Sequence, residues 1–173
     1  GGAGQPPSDA IVLFDGSDLA EWQHGNGSGP RWGIVDGAFT VVAGTGNLVT
    51  KRSFGSIQLH IEWRTPPVAE GEGQERGNSG VFLMKRYEVQ VLDSFQNRTY
   101  SNGQAGSVYK QFIPKVNASR GPGVWQSYDI VFAAPRFAAN GTIGRPAMLT
   151  VLHNGILIQN HVPLAGPTVY IGE

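Results

Sequence analysis

A carboxylate, an amide and a second carboxylate lie close together in segment 87–93, Tyr-Glu-Val-Gln-Val-Leu-Asp. Polar and apolar residues alternate from Tyr87 on, which is typical of a β-strand that turns Glu88 and Gln90 to one face. These two side chains are poor material for an apolar core, because buried polar groups need partners. We therefore expect a polar face that binds a ligand rich in hydroxyl groups, with Asp93 just beyond it.

The spacing Glu88-x-Gln90-x-x-Asp93 matches the Glu-x-Asp-x-x-Glu signature of retaining jelly-roll glucanases. In those enzymes two carboxylates about 5–5.5 Å apart act as nucleophile and acid/base. A regular strand would turn Asp93 away from Glu88, so a shared role requires a β-bulge after Gln90. Gln90 cannot ionise, which argues against the glucanase mechanism, and Asp93 could equally cap the turn that ends the strand.

The side chains of segment 57–64 alternate between an apolar and a polar face in the same way. Its polar side chains are Gln58, His60, Glu62 and Arg64. In an antiparallel sandwich such a set is most simply a solvated outer face. If this strand and 87–92 share a sheet, however, their polar faces merge into one patch. His60 is then a candidate acid or base, because imidazole titrates near neutral pH.

Three further side chains suit a sugar ligand. Asn78 can hydrogen-bond hydroxyl groups, although the glycine-flanked segment 77–80 could equally be a turn. Tyr109 and Trp125 lie beside long loops, where an exposed aromatic ring can stack on a sugar. No histidine pair has metal-ligand spacing, but a hard cation such as Ca²⁺ leaves little trace in a sequence, so a divalent cation stays open.

Composition excludes several classes of protein. The 173 residues include 13 basic and 13 acidic side chains, so the net charge of zero gives no footprint for a nucleic acid or an anionic membrane. Cysteine is absent, and no apolar run is long enough to span a membrane. Residues 1–10 are expected to be a flexible stub left by a removed leader, which indicates export. Residues 11–173 are expected to form a single domain.

Short β-rich runs with turn residues between them predict an all-β sandwich or barrel. The strand candidates are 11–14, 31–35, 38–42, 47–50, 57–64, 79–84, 87–92, 106–110, 125–132, 147–153, 156–162 and 168–171. Asp36-Gly37 and Asn154-Gly155 favour type I′ hairpins. The long stretches 65–78, 93–105, 111–124 and 133–146 are candidate binding loops.

A series of motifs runs in order through residues 11–170. The series is Leu13-Phe-Asp-Gly-x-Asp-Leu-x-x-Trp22, Trp32-x-x-x-Asp-Gly37, Gly46-Asn-Leu-Val-Thr50, Leu59-His-Ile-Glu-Trp-Arg64, Gly77-Asn-Ser-Gly80, Tyr87-Glu-Val-Gln-Val-Leu-Asp93, Gly106-x-x-Tyr109, Trp125-Gln-x-Tyr128 and Leu152-His-Asn-Gly155. It resembles the 3-keto-disaccharide hydrolase domain family. The resemblance implies a concanavalin-like jelly-roll β-sandwich of two antiparallel sheets, in an exported bacterial protein of the periplasm or the extracellular space. Family members usually continue past Ile171-Gly-Glu173, so the domain is expected to lack its usual last strand.

The resemblance also implies cleavage of glycosides that a partner sugar 3-dehydrogenase has oxidised at C3. The ketone acidifies the C2 proton, so a modest base can start an elimination that expels the C1 substituent, and water then adds. This route tolerates Gln90. We expect Glu88 or His60 as base and Asp93 as acid. The predicted substrate-binding residues are Gln90, Arg64, Glu62, Asn78, Tyr109 and Trp125.

Three alternatives to this activity stay open at the sequence level. The chief one is a non-catalytic carbohydrate-binding module, since lectins and glucanases share this sandwich. A structural or adhesive surface domain and a retaining glucanase are the others.

Overall fold

The computed structural model describes residues 5–169, and these form an all-β structure with two short 3₁₀ helices at Gly73–Glu75 and Ser101–Gly103. Its strands are β1 (Trp22–His24), β2 (Gly33–Val35), β3 (Ala38–Thr40), β4 (Leu48–Thr50), β5 (Ile57–Trp63), β6 (Ser79–Leu83), β7 (Tyr87–Val91), β8 (Gln126–Ala133), β9 (Arg136–Phe137), β10 (Ile143–Arg145), β11 (Met148–His153) and β12 (Ile156–Pro163). Within residues 5–169 no helix has the length and apolarity needed to cross a membrane. The all-β prediction is confirmed.

The chain divides into two compact units, Gly1–Ser53 and Phe54–Glu173. In the first unit β1 pairs with β4 and β2 with β3, both antiparallel. Phe39 packs against the rings of Phe14, Trp22 and Trp32, with ring centroids 4.9, 5.4 and 5.8 Å away. The four rings of this aromatic cluster are partly buried.

The second unit contains a four-stranded antiparallel sheet in the order β12-β11-β8-β5 and the separate antiparallel pair β6–β7. Segment 106–109 runs along the other side of β7 as an irregular neighbour. Two main-chain hydrogen bonds join this segment to β7. Gln90 N donates to Ser107 O at 3.0 Å, and Tyr109 N donates to Glu88 O at 3.1 Å. Val89 and Val108 form an isolated bridge between these two contacts.

The core of the second unit lies between these two layers. Its buried side chains come from the inward faces of the four-stranded sheet and of β6–β7, among them Ile130, Phe132, Leu149, Val151 and Val89. Burying a side chain of this size contributes roughly 1.5–3 kcal/mol. The Tyr87 ring on β7 packs 5.7 Å from that of Phe132 on β8, and Tyr128 Oη donates to Gln90 O across the layers at 2.7 Å. This arrangement is a β-sandwich, as predicted.

Both predicted type I′ hairpins are confirmed by their backbone angles. Asp36 and Gly37 have φ of 51° and 70°, and Asn154 and Gly155 have φ of 52° and 78°. A positive φ at both central residues defines this turn.

Most strand candidates match observed strands within about two residues, a normal tolerance for strand ends. Candidate 11–14 is not a strand. Candidate 106–110 forms only the bridge at Val108, because positive φ at Gly106 (80°) and Lys110 (58°) interrupts its extended chain. Two features were not predicted from the sequence: β1, and the β9–β10 ribbon inside the predicted loop 133–146. The start of the predicted stub and the end of candidate 168–171 lie outside the described residues.

Candidate functional site

A polar surface covers the side of β7 that points away from the core, and we call it the polar face. Its floor contains Glu88 and Gln90, which are only 5% and 1% exposed. Phe82 and Gly80 of β6 lie directly opposite them in the pairing register, and Tyr109 lies beside Glu88 on the other side. Residues paired directly across an antiparallel ladder share a face, so these side chains meet.

Gly80 makes room for the Glu88 carboxylate. A Cβ atom at Gly80 would lie 2.2 Å from Glu88 Oε1 and 2.9 Å from its Cδ and Cγ. The Glu88 side chain therefore lies diagonally over the Gly80 backbone. Gly80, the last residue of the Gly77-Asn-Ser-Gly80 motif, therefore provides space for the Glu88 side chain, in addition to any turn that the first residues of the motif form.

Three amide side chains form a network beside Glu88. Gln90 Nε2 donates to Gln74 Oε1 at 2.9 Å and to Asn78 Oδ1 at 3.3 Å. Gln74 Nε2 in turn donates to Thr99 Oγ1 and to Gly103 O, at 3.1 and 3.0 Å. Gln90 Oε1 is buried and has no partner in the described part of the chain. The network holds Gln90 rigidly with one acceptor unused, an arrangement suited to a ligand hydroxyl.

Two tyrosines complete the polar face. The hydroxyls of Tyr100 and Tyr109 are hydrogen-bonded to each other, and Tyr100 is 42% exposed. The pKa of Tyr100 is raised to about 12. Partial burial is the largest cause, followed by the hydrogen bond to Tyr109 and by electrostatic repulsion from Tyr109 and Glu88. Tyr100 therefore keeps its proton throughout the neutral range and can donate it in a hydrogen bond.

Both carboxylate oxygens of Asp93 accept hydrogen bonds from the protein. Its Oδ2 accepts from Arg76 Nε at 2.8 Å and its Oδ1 from Phe95 N at 3.2 Å, while the residue is 2% exposed. The β6–β7 register is regular from Leu83–Tyr87 to Ser79–Val91, so the paired part of β7 has no bulge. These contacts favour the turn-capping interpretation of Asp93 over its interpretation as an acid paired with Glu88.

The four other predicted residues lie away from the polar face. His60 and Glu62 are on the outer face of the four-stranded sheet, where His60 Nδ1 is 2.6 Å from Asp129 Oδ1. The Arg64 guanidinium lies over the exposed Trp125 ring, 5.0 Å from its centroid. Because β5 and β7 belong to different layers, with the core between them, their polar faces point in opposite directions. The merged polar patch expected for a shared sheet does not form, and His60 and Glu88 are not neighbours.

Three residues of the polar face were not predicted from the sequence: Gln74, Tyr100 and Phe82. The first two lie in the long stretches 65–78 and 93–105, which were marked as candidate binding loops. Phe82 reads as an ordinary strand residue, and only its register opposite Glu88 places it in the site.

Residues 5–169 bring together no group of three or more His, Asp or Glu side chains of the kind that could hold a metal ion. Asp93 also lines a cleft of about 300 Å³ with Arg76, Gly77 and segment 65–70.

Comparison with known proteins places the chain in a family. A crystal structure of a candidate glycosyl hydrolase from Parabacteroides distasonis ATCC 8503 is 50% identical, with a TM-score of 0.94 over 96% of this chain and 71% of that one. A second candidate glycosyl hydrolase from the same organism, 19% identical, shares the fold, with a TM-score of 0.61 over 86% of this chain and 69% of that one. No curated protein gives a significant match. The family model described as "3-keto-alpha-glucoside-1,2-lyase-like domain" matches residues 9–171, and the chain belongs to this carbohydrate-active family.

Proposed function

We propose that this protein cleaves glycosides whose sugar carries a ketone at C3, with Glu88 as the base that removes the C2 proton. The observation that carries the proposal is the placement of Glu88 on the polar face. It is a nearly buried carboxylate that lies between Phe82 and Tyr109 and next to the Gln90 amide network. The family description, which names 1,2-lyase chemistry on a 3-keto-α-glucoside, supports the same reaction class.

The reaction requires few groups. The C2 proton moves to the Glu88 carboxylate, and the C–H electron pair forms a C2=C3 enolate. When the enolate collapses, the C3 ketone returns, a C1=C2 double bond forms, and the C1–O bond breaks. The leaving oxygen takes a proton from water, Glu88 returns its proton to the solvent, and water later adds across the double bond. One base and one group that stabilises the enolate are enough for the first step, so no second ionised carboxylate is needed as a nucleophile.

The remaining side chains of the polar face bind the sugar in this proposal. The unused Gln90 Oε1 accepts a sugar hydroxyl, and Asn78 and Gln74 hold the Gln90 amide in place. Phe82, which is partly exposed opposite Glu88, presents an apolar surface to the sugar ring. Asp93, His60, Glu62 and Arg64 have no part in the chemical step.

The proposal implies a supply of oxidised sugar. A glycoside acquires a C3 ketone by oxidation of the C3 hydroxyl, so a sugar 3-dehydrogenase is the pathway partner. A divalent cation that assists the ketone stays compatible with this scheme, and a chelator tests for it.

The first experiment compares 3-keto-lactose and a 3-keto-aryl-glucoside with the unoxidised sugars, with and without chelator and with an enzyme-free blank. We expect only the keto sugars to be cleaved. Glu88→Gln should lower kcat about 10²- to 10⁴-fold, because the substitution removes the general base. Glu62→Gln is the matched control on the outer face of β5 and should leave kcat unchanged. Full activity of Glu88→Gln, or equal cleavage of both sugar forms, contradicts the proposal.

A second candidate function is sugar binding without catalysis, and the exposed Trp125 ring with Arg64 over it favours this candidate. An aromatic platform of this kind stacks on sugar rings. It predicts that keto and unoxidised sugars bind equally, are not turned over, and lose binding in Trp125→Ala. The proposed enzyme instead turns over the keto sugar and retains activity in that variant.

A further inference from the structure

An enolate needs a hydrogen-bond donor close to the base that forms it. As the base removes the C2 proton, negative charge develops on the C3 oxygen, which is attached to the adjacent carbon. Donors placed in advance at that oxygen are usually the largest contribution to such catalysis. A donor must therefore lie beside Glu88 on the polar face.

The Tyr100–Tyr109 pair occupies that place. Tyr109 is directly opposite Glu88, because its main-chain N donates to Glu88 O at 3.1 Å and the adjacent valines, Val89 and Val108, both face the core. Tyr109 and Glu88 thus share the polar face, and Tyr100 joins them through its hydroxyl. When Tyr109 donates to Tyr100 in their mutual hydrogen bond, the Tyr100 hydroxyl keeps its own proton for donation to a ligand.

We propose that the paired hydroxyls of Tyr100 and Tyr109 form the oxyanion hole for the C3 oxygen of the enolate. This inference rests on the proposed function and adds a catalytic role that the sequence does not reveal for Tyr100. The hydroxyl donates a hydrogen bond to the developing oxyanion and keeps its proton. When the C1–O bond breaks, an electron pair of the enolate oxygen forms the C3 ketone again, and the C2=C3 electron pair becomes the C1=C2 double bond.

The surroundings of Tyr100 hold its ring in place for this task. A Cβ atom at Gly103 would lie only 2.1 Å from Tyr100 Cε2 and 2.8 Å from Cζ, so the ring lies directly on the Gly103 backbone. Lys110 Nζ is 5.8 Å from the ring centroid and brings a positive charge to this side of the site. A donor whose pKa is raised to about 12 also stays protonated at any working pH.

The decisive measurement is exchange of the C2 proton of a 3-keto-glycoside with D₂O, followed by NMR. Exchange reports enolate formation separately from loss of the leaving group. Tyr100→Phe should slow exchange about a hundredfold or more, and Tyr109→Phe should slow it in the same direction. The loss should be equal for aryl and alkyl glycosides, since the leaving group has not yet moved. Tyr87→Phe, on the core face of the same strand as Glu88, is the matched control and should exchange at the wild-type rate.

The outcomes separate the two proposals. If the wild type exchanges C2 but both tyrosine variants exchange equally fast, the oxyanion hole is wrong and the proposed function stands. Normal exchange with slow cleavage of alkyl glycosides alone assigns the hydroxyls to the leaving group, which also overturns the inference. A wild type that neither exchanges C2 nor cleaves keto sugars overturns both.

Gly103→Ala provides a test that keeps both hydroxyls, should the phenylalanine variants fold poorly. The added methyl group must push the Tyr100 ring away, so exchange should slow while the fold, measured by circular dichroism, is retained. Gly55→Ala, where a Cβ meets nothing within 4 Å, is its control. A folded Gly103→Ala protein with wild-type exchange contradicts the inference.

Discussion

Asp93 and Glu88 are carboxylates only five positions apart in the chain, yet their surroundings differ, and we expect them to have different tasks. The Asp93 carboxylate is bound by the Arg76 guanidinium and by a main-chain N–H two residues on. Both of its oxygens are therefore occupied by protein donors. Glu88 lies on the polar face among amides and phenols. At the scale of the residue, we therefore expect the ion pair with Arg76 to give Asp93 a structural role.

This difference predicts the effect of Asp93→Asn. Loss of the charge weakens a nearly buried ion pair, and we expect the free energy of unfolding to fall by about 1–3 kcal/mol. The kcat of the folded variant on a 3-keto-glucoside should stay within a fewfold of wild type. Urea unfolding and steady-state kinetics on the same sample check both statements.

The control for Asp93→Asn is Asp129→Asn on the outer sheet face. Its partner His60 is 60% exposed and Asp129 itself 49% exposed at the side chain, so solvent screens the pair and stability should change by less than about 1 kcal/mol. A large loss of kcat in Asp93→Asn without loss of stability would instead return Asp93 to a catalytic role.

At the scale of the element, the β6–β7 hairpin positions the site and does so with an unusual turn. Arg86 N donates to Leu83 O at 3.0 Å, and the two central residues, Met84 and Lys85, have φ of 54° and 57°. These are type I′ angles without the Asn-Gly sequence that the turn prefers. Side chains at positive φ cost free energy, so this hairpin carries strain close to Glu88.

Lys85→Gly should relieve part of that strain. We expect the free energy of unfolding to rise by about 1 kcal/mol and Tm to rise with it, because glycine adopts positive φ without steric cost. Lys115→Gly, at a position without positive φ, is the matched control and should be neutral or destabilising. A fall in Tm for Lys85→Gly equal to that of Lys115→Gly would show that the turn is not strained.

At the scale of the whole second unit, the buried position of His153 makes the stability of the fold depend on pH. It is fully buried against Trp63 and Tyr128, with ring centroids 5.5 and 4.9 Å away, and its Nε2 donates to Gln126 Oε1 at 2.8 Å. Burial lowers the pKa of His153 to about 4, and the Arg120 charge adds to the effect. The folded protein therefore keeps this ring neutral.

The consequence is a loss of stability in mild acid. Between pH 6.5 and 4 the unfolded chain binds a proton at His153 that the folded chain does not, so the free energy of unfolding falls as pH falls. The loss should reach about 2 kcal/mol at pH 5 and about 3 kcal/mol near pH 4. Thermal or urea unfolding of His153→Gln should show a shallower dependence on pH than wild type. His60→Gln, at an exposed histidine, is the control, and a slope unchanged by His153→Gln would refute the assignment.

The sequence by itself determined the local features of this protein. Alternation fixed β5 and β7, Asp-Gly and Asn-Gly fixed two hairpins, and the ordered motifs indicated the family. It also placed Glu88, Gln90, Asn78 and Tyr109 in one candidate site, and the structure brings these four together. All of these signals are read from residues close in the chain, where backbone sterics and the two-residue period of a strand decide the outcome.

Only the tertiary structure decided which polar faces meet. Period-two alternation says that His60 and Glu88 each point away from a core, but it does not say that β5 and β7 lie in different layers. Tyr100 and Gln74 lie in long loops. The path of these loops depends on hydrogen bonds between residues far apart in the chain, such as Gln74 Nε2 and Gly103 O. Layer assignment and loop path follow from burial of the whole core, and no single segment contains that information.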